Sequence, residues 1–250
     1  MQSAYAILIF SACLFGVFEG CFGALPSSIK TCPRNHPDPN RCILDAVNIV
    51  RPLLAKGDLG DGYHTPPLEP LYLDNIEMGR GNEFRAVFSD IQARGGSNFI
   101  IEKLKANITN LSFDVYILLP KIEFVGKYSL KIRLLLLNIN GKGDMRGTFK
   151  NARAYVKMRG IKVHKDGNDY VKFKELPLRI KVEDAQIHLD NLFGGDPVLG
   201  QVGNNIINDN HKLFLAEVLP GLEKGLSKSF VEISDNILQT ATFDEMFPLE

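Results

Sequence analysis

Lys127-Tyr128-Ser129-Leu130-Lys131-Ile132-Arg133-Leu134 alternates polar and apolar side chains without a break. Alternation of period two is the pattern of a strand with one buried and one wet face. Tyr128, Leu130, Ile132, Leu134 and Leu136 point one way, and Lys127, Ser129, Lys131 and Arg133 point the other. Working outward, Phe113, Val115, Ile117 and Leu119 alternate in the preceding run, followed by Ile122 and Phe124. Leu71 and Leu73 open the theme, and Phe149, Tyr155, Val171, Phe173, Leu178, Ile180, Val182, Ile187 and Leu189 continue it. Gly95-Gly96-Ser97, Gly141-Lys142-Gly143-Asp144 and Lys165-Asp166-Gly167-Asn168 read as turns. The expectation for residues 68–192 is a meander of long antiparallel strands, apolar on one face and charged on the other.

On both sides of this region the period changes. Ile43, Ala46, Val47, Val50 and Leu54 fall at the three-and-four spacing of a short amphipathic helix, ended by Gly57, Gly60, Gly62 and Pro66-Pro67. Leu199, Val202, Ile206, Leu213, Leu222, Leu226, Phe230, Ile233 and Ile237 repeat that spacing between residues 196 and about 240. Asp196-Pro197 supplies an N-cap and a first-turn proline, and Pro220-Gly221 is expected to kink or break the helix. At 1.5 Å per residue such a helix spans roughly 60 Å. A long apolar stripe and a one-sided sheet must each bury their apolar face. The economical solution is an α+β fold in which a strongly curved antiparallel sheet wraps the C-terminal helix. Such a wrap encloses an elongated apolar interior that side chains need not fill.

The chain begins with an apolar run from Ala6 to Phe18, followed by the small residues Cys21 and Gly23 flanking Phe22. The run is too short to cross ~30 Å of hydrocarbon as a helix. Residues 1–23 therefore read as a secretory signal cleaved before Ala24, leaving residues 24–250 as one domain. An uncleaved anchor is the other reading of the same run. Lys plus Arg and Asp plus Glu each total 29, so the formal net charge is zero. That balance offers no electrostatic footprint for nucleic acid.

Of the four cysteines, Cys13 and Cys21 lie in the signal, which leaves Cys32 and Cys42 around a proline-rich loop. In an oxidising compartment this pair reads as a disulfide, contributing about 2–3 kcal/mol by loop entropy. A metal site built from the two cysteines and His36 lacks the spacing of a structural zinc centre. Asn107-Ile-Thr and Asn110-Leu-Ser are glycosylation sequons, and two glycans three residues apart would crowd each other, so at most one is expected to carry sugar.

No catalytic constellation stands out. Asn140-Gly141-Lys142-Gly143-Asp144 lacks the spacing and following helix of a phosphate loop and reads as a hairpin turn. The histidines are scattered, and no nucleophile elbow is present. His188 is expected on the wet side of its strand and His211 at an exposed helix position, unless His211 meets a polar ligand head. Asn204, Asn205, Asn208, Asp209 and Asn210 interrupt the helical stripe. They read either as a polar tunnel mouth or cluster beneath a loop, or as a solvated face. Tyr116, Tyr128 and Tyr155 could each donate to a ligand or simply belong to the core.

Several motifs in order resemble the takeout and haemolymph juvenile-hormone-binding family. They are Leu25-Pro26 before Cys32, the Cys32/Cys42 pair, Leu68-Glu69-Pro70-Leu71, Gly126-Lys127-Tyr128 with Asn140 to Met145, Asp190 to Asp196, Asn204 to Asn208, Glu217-Val218-Leu219-Pro220 and Phe247-Pro248. The resemblance implies a TULIP-like fold with an apolar tunnel. It also implies a secreted, non-enzymatic, cofactor-free carrier of juvenile-hormone-like terpenoids, fatty acids or other lipids in haemolymph or sensory tissue, with some members tied to circadian output, feeding or chemosensation. The hormone carriers have a second disulfide in the C-terminal half, whereas no cysteine follows Cys42 here, which places the chain nearer the takeout branch. The residues expected to contact ligand are Phe113, Val115, Tyr116, Ile117, Tyr128, Leu130, Ile132 and Leu134 on strands, with Val202, Ile206, Leu213, Leu222 and Leu226 on the helix. The expected partner is a small hydrophobic ligand, without nucleic acid or stable membrane insertion. The alternative is a secreted signalling protein whose contact with a cell-surface or haemolymph protein is regulated by lipid.

Overall fold

A computed structural model describes residues 25–249 apart from 82, 83 and 175. The signal expected at residues 1–23, with Cys13 and Cys21, lies outside the described residues. Helix α1 (Pro39–Lys56) is followed by a small ribbon, β1 (Asp58–Gly60) and β2 (Tyr63–His64). The main sheet comprises β3 (Leu71–Leu73), β4 (Ile76–Arg80), β5 (Phe84–Arg94), β6 (Ile100–Asn107), β7 (Ser112–Leu134), β8 (Leu137–Lys165), β9 (Asn168–Phe173), β10 (Leu178–Lys181) and β11 (Asp184–Leu189). Three helices end the chain: α2 (Pro197–Asp209), α3 (His211–Leu238) and the short α4 (Phe243–Met246).

The β7–β8 hairpin is the spine. Its strands pair without a slip from Ser112 opposite Arg159 to Leu134 opposite Leu137. Shorter strands line both sides, with β5 and β6 along β7, and β11, β10 and β9 along β8. Both spine strands exchange faces at one point. Phe113 to Leu119 face inward at odd numbers, but Ile122, Phe124 and Tyr128 do so at even numbers. In β8 the even-numbered Ala152 to Met158 and the odd-numbered Met145 and Phe149 do the same. The exchange lies between the pairs Leu119–Ala152 and Lys121–Lys150, where Pro120 has no N–H to give and Asn151 takes φ +50°. A break in both ladders at one level bends the hairpin and helps the sheet curl.

Gly141 to Asp144 lies inside β8, not in the turn expected from its glycines. The space above these glycines is taken. A Cβ on Gly141 would sit 2.6 Å from the Tyr128 hydroxyl, and one on Gly143 would sit 2.7 Å from the Asp190 carbonyl. The hydroxyl donates to that carbonyl at 2.5 Å. The actual turn is Leu135-Leu136, so Leu136 leaves the inward row and stands exposed.

The C-terminal helical region is two helices. Asn210 breaks it with φ −119°, its side-chain amide donating to the Ile206 carbonyl. Pro220, expected to kink or break the helix, does not break it and sits inside α3. At 28 residues α3 spans roughly 42 Å, not 60 Å.

Helix side chains close the free edges of three strands. Asn204 accepts from the Leu189 N–H at 2.9 Å and donates to its carbonyl at 3.0 Å. One turn on, Asn208 repeats both bonds with Ile187 at 2.8 Å. A helix advances ~6 Å in four residues and a strand ~6.6 Å in two, so two amides at i and i+4 match alternate residues of β11. In α3, Glu223 accepts from the Ile180 N–H at 2.7 Å and from Arg179 at 3.0 Å. Asp235 accepts from the Phe173 N–H at 3.3 Å. Exposed edges invite association with other chains, and these side chains satisfy them. The asparagine cluster thus divides: Asn204 and Asn208 are edge partners, while Asn205 and Asp209 face solvent.

Candidate functional site: an apolar cavity

Between the curled sheet, α1 and α3 lies a cavity of about 770 Å3. That size falls within the ~300–1,000 Å3 typical of small-molecule sites. Its walls are drawn from nearly every element. α1 contributes the stripe Ile43, Ala46, Val47, Val50 and Leu54, and α3 contributes Leu215, Val218, Leu222, Leu226, Phe230 and Ile233. The N-terminal cap of α1 is Asp38, which accepts from the Arg41 N–H at 3.0 Å. Its C-terminus is closed by Gly57 at φ +76°, where a side chain would collide with the Thr65 carbonyl. Asn40 ties the helix to β6 by accepting from the Ala106 N–H at 2.8 Å. The Cys32–Cys42 disulfide joins α1 to the segment from Leu25 to Cys32, which completes the wall.

Glu69 fixes the β5–β6 connection, whose Gly96 and Phe99 also line the space. Its carboxylate accepts from the Ser97 N–H and hydroxyl, both at 2.8 Å, and from the Gly95 N–H at 2.9 Å. Burial pushes its pKa up, but these bonds and nearby Arg94 outweigh burial and hold it below the ordinary 4.5.

Polar side chains on the lining are few among the described residues: Lys30, Thr31 and Ser234. No cluster of His, Cys, Asp or Glu that could hold a metal occurs among the described residues. Such a lining offers dispersion contact and exclusion of water.

Five of the expected ligand contacts, Phe113, Val115, Ile117, Leu222 and Leu226, line the cavity. The other eight do not. Tyr128, Leu130, Ile132 and Leu134 point inward but are sealed into a solid core with Phe84, Ile139 and Ile207. Burial, followed by the charge of Asp190, pushes the Tyr128 hydroxyl up to about 12, and the hydroxyl donates to the Asp190 carbonyl. Tyr116 lies on the outer face, because its odd-numbered neighbours take the inside, and it stacks on Tyr155 at 4.5 Å. Val202 (45% exposed) faces outward on α2, whose opposite side covers the sheet edge, and Leu213 (49%) faces outward in the first turn of α3. Ile206 packs on that solid core.

His211 is half-buried at the start of α3, with Nδ1 3.0 Å from the Asn208 carbonyl, and does not line the cavity. His188 is outward as expected, 3.0 Å from Asp190. Asn107 and Asn110 are both exposed, and Asn107 accepts from the Asn110 N–H at 2.9 Å. Sequence reasoning missed the α1 stripe as a wall, although its periodicity was plain. It also missed Ala152 and Ala154 of β8, whose small side chains keep the hollow open opposite Leu119 and Ile117.

A curled antiparallel sheet closed by helices over one elongated apolar hollow defines a class of protein that encloses small hydrophobic molecules. Its family follows from the sequence itself: the family model described as haemolymph juvenile hormone binding protein matches residues 7–248, and the chain belongs to that family. Its members are ligand-binding carriers. Over 194 residues the chain is 24% identical to circadian clock-controlled protein daywake of Drosophila yakuba and 25% identical to daywake of Drosophila melanogaster. Each match covers 73% of this chain and 75% of the relative. The fold is similar to that of Takeout 1 from Epiphyas postvittana, with a TM-score of 0.76 and 21% identity over 88% of this chain and 100% of that one. Among the described residues, no helix is long and apolar enough to cross a membrane.

Proposed function

We propose that the chain is exported, loses residues 1–23, and as a single domain of residues 24–250 carries one small apolar molecule. The guest is a juvenile-hormone-like terpenoid, a fatty acid or another lipid, held in haemolymph or a sensory secretion. The observation that carries this reading is the 770 Å3 hollow with its almost wholly apolar wall. Burying ~300–400 Å2 of a guest at ~25 cal/mol per Å2 yields roughly 8–10 kcal/mol before association costs, enough for micromolar binding or tighter. Phe113, Val115, Ile117, Leu222 and Leu226 are its wall contacts in this reading, and Asn107 or Asn110 carries the glycan. Native mass spectrometry of the secreted protein tests it. The expected spectrum shows a mass excess of one lipid-sized molecule, exchangeable for added farnesol or palmitic acid. Protein that is empty and takes up neither overturns the proposal.

The daywake relatives are named for clock control. We extend that link to this chain, and a transcript that keeps a constant level through the day would break it.

A further inference from the structure

The tip of the β7–β8 hairpin combines three features that the carrier reading does not use. Leu134 pairs with Leu137, so Leu135 and Leu136 form a two-residue turn. Such turns favour Asn-Gly or Gly, because positive φ is required. Here Leu135 takes φ +57°, a strained conformation for a branched side chain. Both turn residues are also in water, Leu135 at 59% exposure and Leu136 at 91%. A sequence selected only for stability would have neither.

The third feature is charge. From Gly126 to Gly143 the chain carries Lys127, Lys131, Arg133 and Lys142 and no carboxylate. Arg85 of β5 lies opposite Lys131. Neighbouring cations are neutralised locally, Lys127 by Asp90, Arg80 by Glu217 and Arg146 by Asp190. Arg85, Lys131, Arg133 and Lys142 are exposed and have no carboxylate partner among the described residues. At this same end, joined to the hairpin by the Gly141–Leu192 bridge, α2 exposes Val198 and Leu199 and is uncharged from Pro197 to Asn208.

We propose that the Leu135–Leu136 tip docks the protein on an anionic lipid surface. The two leucines enter the boundary between headgroups and acyl chains, while Arg85, Lys131, Arg133 and Lys142 bind lipid phosphates from the strands behind. Charge complementarity selects this occupant: an apolar point with a patch of exposed cations behind it matches a layer whose surface is anionic and whose interior is apolar. The contact is reversible and peripheral, and it does not require that the cavity be occupied.

The test is co-sedimentation of the secreted protein with vesicles of phosphatidylcholine alone or with phosphatidylserine added. The wild type is expected to bind the anionic vesicles, and added salt should release it. The L135N/L136G variant installs residues suited to the turn and so preserves the hairpin, yet should bind at least tenfold more weakly. K131Q/R133Q/K142Q should lose on the order of a hundredfold, from roughly fivefold per cation. Uptake of a fluorescent fatty-acid probe reports on the cavity separately and should be unchanged in both variants. Failure of the wild type to bind anionic vesicles, equal binding to phosphatidylcholine alone, or wild-type binding by either variant overturns the proposal. So does a dimer that L135N/L136G dissolves, since the tip then belongs to a second copy.

Discussion

The two halves of β7 carry the same alternating pattern and meet opposite fates. From Tyr128 to Leu134 every inward side chain is sealed in a close-packed core. From Phe113 to Phe124 the inward side chains border a hollow. Alternation specifies which face turns inward; what stands opposite decides whether that face is filled. The second half meets α2 and the end of β5, which supply Ile207 and Phe84. The first half meets α1 and α3, which stand off from it and share a hollow with it. The same strand thus serves a filled core in one half and a hollow in the other.

The largest expected effect comes from the solid end. Ile132→Ala should cost about 2–5 kcal/mol, because close-packed neighbours cannot collapse into the space left. Urea unfolding would show the lower midpoint, and affinity for a fluorescent fatty-acid probe should be nearly unchanged. Ile117→Ala makes the same chemical change in the hollow half and should cost about 1 kcal/mol or less, because partner atoms are already missing there. Equal losses at the two sites would erase the comparison.

The disulfide belongs to the hollow end. Replacing Cys32 and Cys42 together by serine should lower stability by about 2–3 kcal/mol. It should also weaken probe binding, because the Leu25–Cys32 wall is no longer held to α1. At the solid end, Tyr128→Phe removes only the bond to the Asp190 carbonyl and should cost about 1–2 kcal/mol, with binding intact.

The smallest effect is the pH response of Glu69. Its folded pKa lies below the unfolded 4.5, so its contribution is fully present above that value. The contribution is lost as pH falls through the folded value. In Glu69→Gln the pH dependence of unfolding below 4.5 should be shallower than in the wild type. A mutant curve parallel to that of the wild type would remove Glu69 from the account.

Much of the fold was legible, because long alternating runs and a three-and-four stripe are direct consequences of strand and helix geometry. The errors came where local propensity met a tertiary demand. Gly141 and Gly143 look like a turn, yet they are strand residues kept small for Tyr128 and the Asp190 backbone. Leu136 looks like one more inward strand residue, yet with Leu135 it forms the turn. Pro220 looks like the place where the helix kinks or breaks, yet α3 runs through it and the break is at Asn210. The site was legible only in part. Periodicity identified the inward face of most strands but also put the outward Val202 and Leu213 in the helical stripe, and only the packing of α1, α2 and α3 distinguishes a wall from a filled core.

The most direct test of the hollow is to fill it from its own wall. Ile117 and Ala154 lie opposite each other on β7 and β8, and both line the cavity. Titration of a fluorescent fatty-acid probe into I117F/A154F should show at least tenfold weaker binding than wild type, with thermal stability retained. Affinity equal to that of the wild type, in protein shown to be folded, would contradict the assignment of this half of the molecule as the space that holds the guest.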